Sequence, residues 1–444
     1  MKPSDQTPIL RYSPMSVQTG PLQLLAYYFA LANLYTQYGR IPEFLPGTHL
    51  ALLVGLPALL FTAFSGGIGR VASSRVALLL ILFTAWAALG IPFSVWRGGS
   101  FSVFVFKWGL AFASFLMVVA AVVTLRQCRR AMYTLGAAAA TVAILTSIYG
   151  STFTRRGDSG RLGLWGGTLR NSNDLAAMLL MGTPFCMFMV FDDGPRWRKA
   201  IGLAAVLLIV PVVFRTGSRA GMLGLLVVFG AYFFQASFAN KVKLAAIFSV
   251  LAVVGIGLSA ETALQRFTVL RYDAQTAYGT EAEISAALSA ESRWRMLKES
   301  LILSIRNPVL GVGIGQFQVG STRYATEEGQ TAAWRETHNA WTQLSSETGI
   351  PGLLFYGAAF LICLRSANSL RKTARQRGLA LLHHMALCLW LSLIGTAVVI
   401  TFSSLAYNVF VPIVLGIAAS VIPAARAELN TPDATFAPAA RVAA

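Results

Sequence analysis

Residues 338–364 read HNAWTQLSSETGIPGLLFYGAAFLICL. The stretch becomes apolar and uncharged after its polar opening, and a helix needs roughly 17–25 residues of that kind to cross a bilayer. The polar half opens on His338, one of four histidines in the chain with His49, His383 and His384. It therefore reads as a helix entering a membrane from a polar loop, with an imidazole at the point of entry. Such an imidazole can exchange protons near neutral pH, or it can simply anchor a helix end.

The same apolar pattern recurs about twelve times, near 21–38, 49–65, 75–96, 101–124, 131–151, 174–191, 200–215, 219–236, 242–260, 338–364, 379–402 and 404–423. The 444 residues are 55% hydrophobic and 12% charged, where a soluble domain carries about 25% charge. The fold class is an all-α polytopic membrane protein with membrane lipids as neighbours. Residues 1–260 hold the first nine spans, 261–337 one large loop, and 338–423 the last three. The Ala/Pro/Thr-rich tail 424–444 is expected to be disordered. No early stretch ends in a small-residue cleavage site, so no cleaved signal peptide is expected. Cys128, Cys186, Cys363 and Cys388 show no metal or disulfide spacing.

A net charge of +18 would point a soluble chain toward nucleic acid. Here it is first a topology signal, because basic loops stay in the cytoplasm, and no nucleic-acid partner is expected. The segment 365–378 holds Arg365, Arg371, Lys372, Arg375 and Arg377 without an acid. Counting spans from it places both termini in the cytoplasm. The translocated face nevertheless carries Arg155, Arg156, Arg161 and Arg170, then Arg215 and Arg219 in the turn 215–221, then eight basic residues in 261–337. Arginine pairs bidentately with phosphate oxygens, so an anionic headgroup is the expected partner. Acids in 261–337 more than match its basic residues, whereas the turn 215–221 has two arginines and no acid.

Within the large loop, 281–305 has helical periodicity, Asn307-Pro308 ends it, and Gly311-Val312-Gly313-Ile314-Gly315 makes a tight turn. That glycine run is a weak phosphate-loop signal without a preceding strand or a Walker lysine. On a continuous helix His338 and Gly349 would be three turns and about 20° apart, sharing a face with Gly352 nearby, and Pro351 would kink it. Glu336 and Glu347 are expected to serve local ion pairing or helix-end polarity.

These features resemble the O-antigen ligase/polymerase superfamily. Its most specific element here is His338-Asn339, nine residues, Gly349, two residues, Gly352, which matches the ligase signature without a gap. Arg293 followed by Asn307-Pro308-Val309-Leu310-Gly311-Val312-Gly313 resembles the family's loop segment. Ser218-Arg219-Ala220-Gly221 resembles its Ser-Arg-small-Gly turn, and Arg170-Asn171-Ser172-Asn173 its Asn-rich helix entry. The aromatic residue usual four positions after the loop arginine is Leu297, with Trp294 nearby, which leaves Arg293 and Arg295 both open as that arginine.

The resemblance implies a membrane glycosyltransferase of GT-C-like architecture in the bacterial inner membrane, with its active site facing the periplasm. Such an enzyme joins a glycan carried on undecaprenyl pyrophosphate to an acceptor hydroxyl, inverting the anomeric centre without a metal or other cofactor. The acceptor is lipid A-core for a ligase and the growing lipid-linked glycan for an O-antigen or exopolysaccharide polymerase; the signature favours the ligase. Arg219 and Arg293, assisted by Arg215, would hold pyrophosphate, and His338 would be the general base. Asn339 would orient His338 or a sugar hydroxyl, with Gly349, Gly352, Arg170 and Asn173 in support. A transporter of lipid-linked glycans would place ionisable groups near the midplane. Here the span centres hold almost none, Lys107 being one exception close to an end.

Overall fold

In hydrocarbon every backbone N–H and C=O must find a partner within the protein, so apolar runs become helices. The structure, a computed structural model, describes residues 20–155, 158–164, 166–236, 241, 281–329 and 334–429. The expected span 242–260, Arg156, Arg266, Arg271 and residues 430–444 lie outside these. In chain order the helices are α1 (Pro21–Tyr38), α2 (Leu50–Ser73), α3 (Arg75–Phe93), α4 (Arg97–Ala121), α5 (Leu125–Tyr149), α6 (Ser172–Phe191), α7 (Arg196–Arg215) and α8 (Arg219–Phe233). They continue with α9 (Glu281–Arg306), α10 (Phe317–Glu327), α11 (Ala340–Gln376), α12 (Ala380–Thr401) and α13 (Phe410–Leu429). Among the described residues nine, α2–α7 and α11–α13, are long and apolar enough to cross a membrane. The chain is an all-α polytopic membrane protein.

Three boundaries differ from the sequence reading. The segment 365–378 is mostly helix, because α11 runs on to Gln376, and α13 continues to Leu429 rather than giving way at residue 424. A hairpin of β1 (Ser151–Arg155) and β2 (Asp158–Gly163) occupies part of the expected loop before α6. Helices α6 and α13 are the innermost, each 83% buried, against 22% for α2 at the rim. Helix α6 packs on α5, α7 and α12, while α11 packs on α3, α12 and the loop helix α9.

The decisive local feature is a break in α11. Gly349 has φ 72° and ψ 178°, so the helix stops and restarts there. His338 lies outside the helix with φ 52°, and Asn339 is the N-cap, its Oδ1 accepting from the N–H of Trp341 and Thr342 at 2.9 and 3.2 Å. The expectation of one continuous helical face from His338 to Gly349 is therefore incorrect. Groups freed by the break are satisfied by the loop after α9. The Val312 N–H donates to Ser346 O (2.8 Å), the Gly313 N–H to Glu347 O (2.9 Å), and the Ile350 N–H to Pro308 O (2.8 Å).

The glycine run is shaped by that contact and not by a phosphate. Gly311, Gly313 and Gly315 all have positive φ, and a Cβ on Gly311 would meet the Glu347 backbone. The run wraps the buried Glu347 carboxylate, which accepts from the Gly315 N–H (2.9 Å) and the Phe317 N–H (3.1 Å). Glu347 is thus a buried acceptor that organises the loop, where local ion pairing or helix-end polarity was expected of it. Gly352 lies one turn on, where a Cβ would press on the Thr348 side chain.

Gly349→Ala should lower stability sharply. A non-glycine residue at such φ costs about 1–3 kcal/mol, and its Cβ would also collide with the Val309 carbonyl. Gly357→Ala, with open space around its Cβ, should leave the unfolding midpoint in detergent unchanged. Equal midpoints for both variants would contradict the break. Glu347→Ala strands two buried N–H groups, each worth about 1–3 kcal/mol; Glu347→Gln, keeping one acceptor oxygen, should recover part of the lost midpoint.

Candidate functional site

The turn between α7 and α8 is built from its own side chains. Thr216 Oγ1 donates to Val213 O (2.6 Å) and accepts from the Ser218 N–H (3.2 Å), Gly217 takes φ 60°, and Ser218 caps α8 by accepting from the Gly221 N–H (3.3 Å). Gly221 lets α8 approach α6 closely, since a Cβ there would meet Ala176 at 2.8 Å. Arg219 is the first residue of α8, where the helix dipole is positive. Its own charge adds to that of the helix N-terminus, a combination that favours an anion. Arg215 closes α7 and is exposed.

The hairpin locks this turn to the head of α6. Arg161 on β2 donates through Nε to Thr216 O (2.9 Å) and through Nη2 to Asn173 Oδ1 (2.8 Å). Asn171 caps α6 by accepting from the Asn173 N–H (3.0 Å). Asn173 therefore acts as a strut for the turn. Arg170 ends the single turn Thr168–Arg170 and is exposed.

Helix α9 settles which loop arginine faces the turn. Arg295 is exposed and donates to Glu299 at 2.9 Å. Arg293 is largely buried beside Arg219, and no acid pairs with it among the described residues; burial first, and the Arg219 charge second, depress its pKa. Arg306 is held by Glu327 and Glu328. Balancing by local acids thus accounts for Arg295 and Arg306 but not for Arg293.

His338 completes the group. Its main-chain N–H donates to Ser404 Oγ (2.8 Å), which also bonds Thr337 Oγ1 (3.1 Å). Burial, then the nearby charges of Arg293 and Arg335, push the imidazole down to about 4. Residues far apart in sequence, Arg219, Arg293 and His338, are thereby brought together at one end of the bundle. Asn339 is occupied as a helix cap. Arg335, anchored on Ser292 Oγ at 2.9 Å, joins them; it was visible only as one of many loop arginines.

A cavity of about 280 Å³ lies beside His338, lined among others by Arg40, Lys107, Asp174, Glu336, Ser404 and Asn408. Asp174 had no signal beyond following Asn173, whereas Lys107 stood out as a lone charge within a span. Among the described residues, no three His, Cys, Asp or Glu side chains are grouped to hold a metal ion.

No curated protein matches the chain. Residues 203–357 match the O-antigen ligase family model, about a third of the length, and that segment contains Arg215, Arg219, Arg293, His338, Gly349 and Gly352 while leaving out Arg170 and Asn173. The family covers O-antigen ligases and related polymerases, which are glycosyltransferase-type enzymes. That match supports a place for the chain in the O-antigen ligase-like superfamily, and its apolar helices fit a bacterial membrane protein.

Proposed function

We propose that this protein is an O-antigen ligase. It transfers a glycan from undecaprenyl pyrophosphate to a hydroxyl of lipid A-core at the periplasmic face of the inner membrane. The observation that carries this reading is the position of Arg293, beside Arg219 and close to His338, a cationic pair next to a titratable base. Arg219 and Arg293 bind the pyrophosphate, with Arg215 at the exposed edge. They stabilise the charge that develops as the bond between the anomeric carbon and the phosphate oxygen breaks, and the pyrophosphate leaves with the electron pair. The acceptor oxygen attacks from the opposite face, inverting the centre, and its proton passes to a ring nitrogen of His338. The arginines take the electrostatic role that a divalent cation plays elsewhere, so the reaction is metal-independent.

The depressed pKa suits this order of events. In the donor-free site His338 is neutral at pH 7 and able to accept a proton. A bound pyrophosphate offsets the arginine charge that holds the imidazole down, which raises its basicity when the acceptor arrives.

His338→Ala should reduce transfer at least about 100-fold, and Arg219→Ala by about 100- to 1,000-fold, with insertion intact. Arg219→Lys should recover little, because a fork becomes a point charge. Full transfer by purified His338→Ala or Arg219→Ala protein would exclude the assignment.

The pH dependence has a definite sign. A base must be unprotonated, so kcat/KM should stay level from about pH 8 to about pH 5 and fall as the pH approaches about 4. The acid limb of kcat, which reports the donor complex, should lie at higher pH. Activity that instead rose on acidification toward pH 4 would mean that protonated His338 is the working form.

A further inference from the structure

Three charged groups in the cavity beside His338 have no assigned task. Asp174 and Lys107 reach it from α6 and α4, and Glu336 from the strand of loop before His338. Among the described residues none of the three makes a side-chain hydrogen bond or ion pair, while Asp174 lies within electrostatic reach of both others. The remaining cation, Arg40, is bonded to Glu43 and Thr168. Charges at a span end are expensive to keep without partners. Lys107 also sits in the π-helical turn Phe104–Gly109, a widened turn found mostly at functional sites.

The chemistry of the lining selects the ligand. Two free carboxylates against one free ammonium repel a diphosphate, which the arginine group attracts instead. Carboxylates accept from O–H groups and an ammonium donates to hydroxyl oxygens, so the lining suits a neutral polyhydroxylated ring. The volume of about 280 Å³ lies just under the range of about 300–1,000 Å³ common for ligand pockets, room for one sugar ring and not for a lipid chain. The cavity also adjoins the residue that carries the proposed base: Ser404 lines it and accepts from the His338 main-chain N–H.

We propose that this cavity is a sugar subsite, in which Asp174, Lys107 and Glu336 hold the hydroxyls of one neutral ring of the acceptor glycan so that its reacting hydroxyl meets His338. The inference rests on the ligase reading and assigns it an acceptor site separate from the pyrophosphate site. Lys107, Asp174 and Ser404 lie outside the matched segment 203–357 and Glu336 within it, so the acceptor site draws on parts of the chain beyond that segment.

The test uses the full chain in lipid nanodiscs and two soluble probes, delipidated core oligosaccharide and a short-chain prenyl pyrophosphate-linked sugar, with binding read by calorimetry. Asp174→Asn and Lys107→Met should each weaken core-oligosaccharide binding about tenfold or more and leave the prenyl pyrophosphate sugar unaffected; Arg219→Ala should do the reverse. Glu336→Gln, at an exposed position where folding is not at stake, should weaken the core probe as well. Unchanged core binding in these variants would overturn the subsite, and weakened binding of the pyrophosphate sugar would assign the cavity to the donor. Wild-type protein that binds the donor probe but not the core probe would sink the subsite alone. Failure to bind the donor probe would sink the ligase reading itself.

Discussion

A broken membrane helix has to find partners for the backbone groups it releases, and in this protein one loop supplies them. The Pro308–Gly313 backbone bonds to Ser346, Glu347 and Ile350 on both sides of the Gly349 break. The following turn binds the Glu347 carboxylate. Because the bilayer offers no water to substitute, the loop and the break stabilise or fail together. The loop leads back directly into α9, which carries Arg293, and the broken helix begins one residue after Asn339. The distance between a loop arginine and a membrane-edge histidine is therefore set by main-chain hydrogen bonds, the least adjustable kind of contact in the structure.

That rigidity is what allows like charges to be gathered. Arg219 sits close enough to disfavour the charge on Arg293, and Arg293 and Arg335 in turn act on His338. An anion bound among them would offset that repulsion. The opposite end of the bundle is different in character. There the Asp192 carboxylate is shared by Arg129 and Arg198. Arg293, by contrast, is buried with no acid paired to it among the described residues, which gives a physical reason to assign ligand binding to the His338 end.

The sequence makes the helices legible because each is a long apolar run, and the turn 215–221 because two arginines stand there without an acid. Periodicity alone marks α9 and its stop at Asn307-Pro308. The choice between Arg293 and Arg295 was available in principle: Glu299 stands four residues after Arg295, the spacing of a helical ion pair, while Arg293 lies about 200° around the helix from it. The break at Gly349 was not legible, since Pro351 suggests a kink but the conformation is dictated by contact with residues some forty positions earlier. The hairpin at 151–163 was missed because its strands are short, polar and glycine-containing. The cavity was hidden for a similar reason: its walls come from five separate stretches of chain, and only Lys107 stood out in its own span.

The most direct test of ligase-type transfer is the mass profile of undecaprenyl-linked glycans in host cells from which this protein has been deleted. Transfer to lipid A-core predicts long polymer stranded on the lipid carrier, because the donor is still assembled and has lost its outlet. Single repeat units on the carrier would mean that this protein builds the polymer instead, and a profile identical to that of unmodified cells would contradict glycan transfer from this carrier altogether.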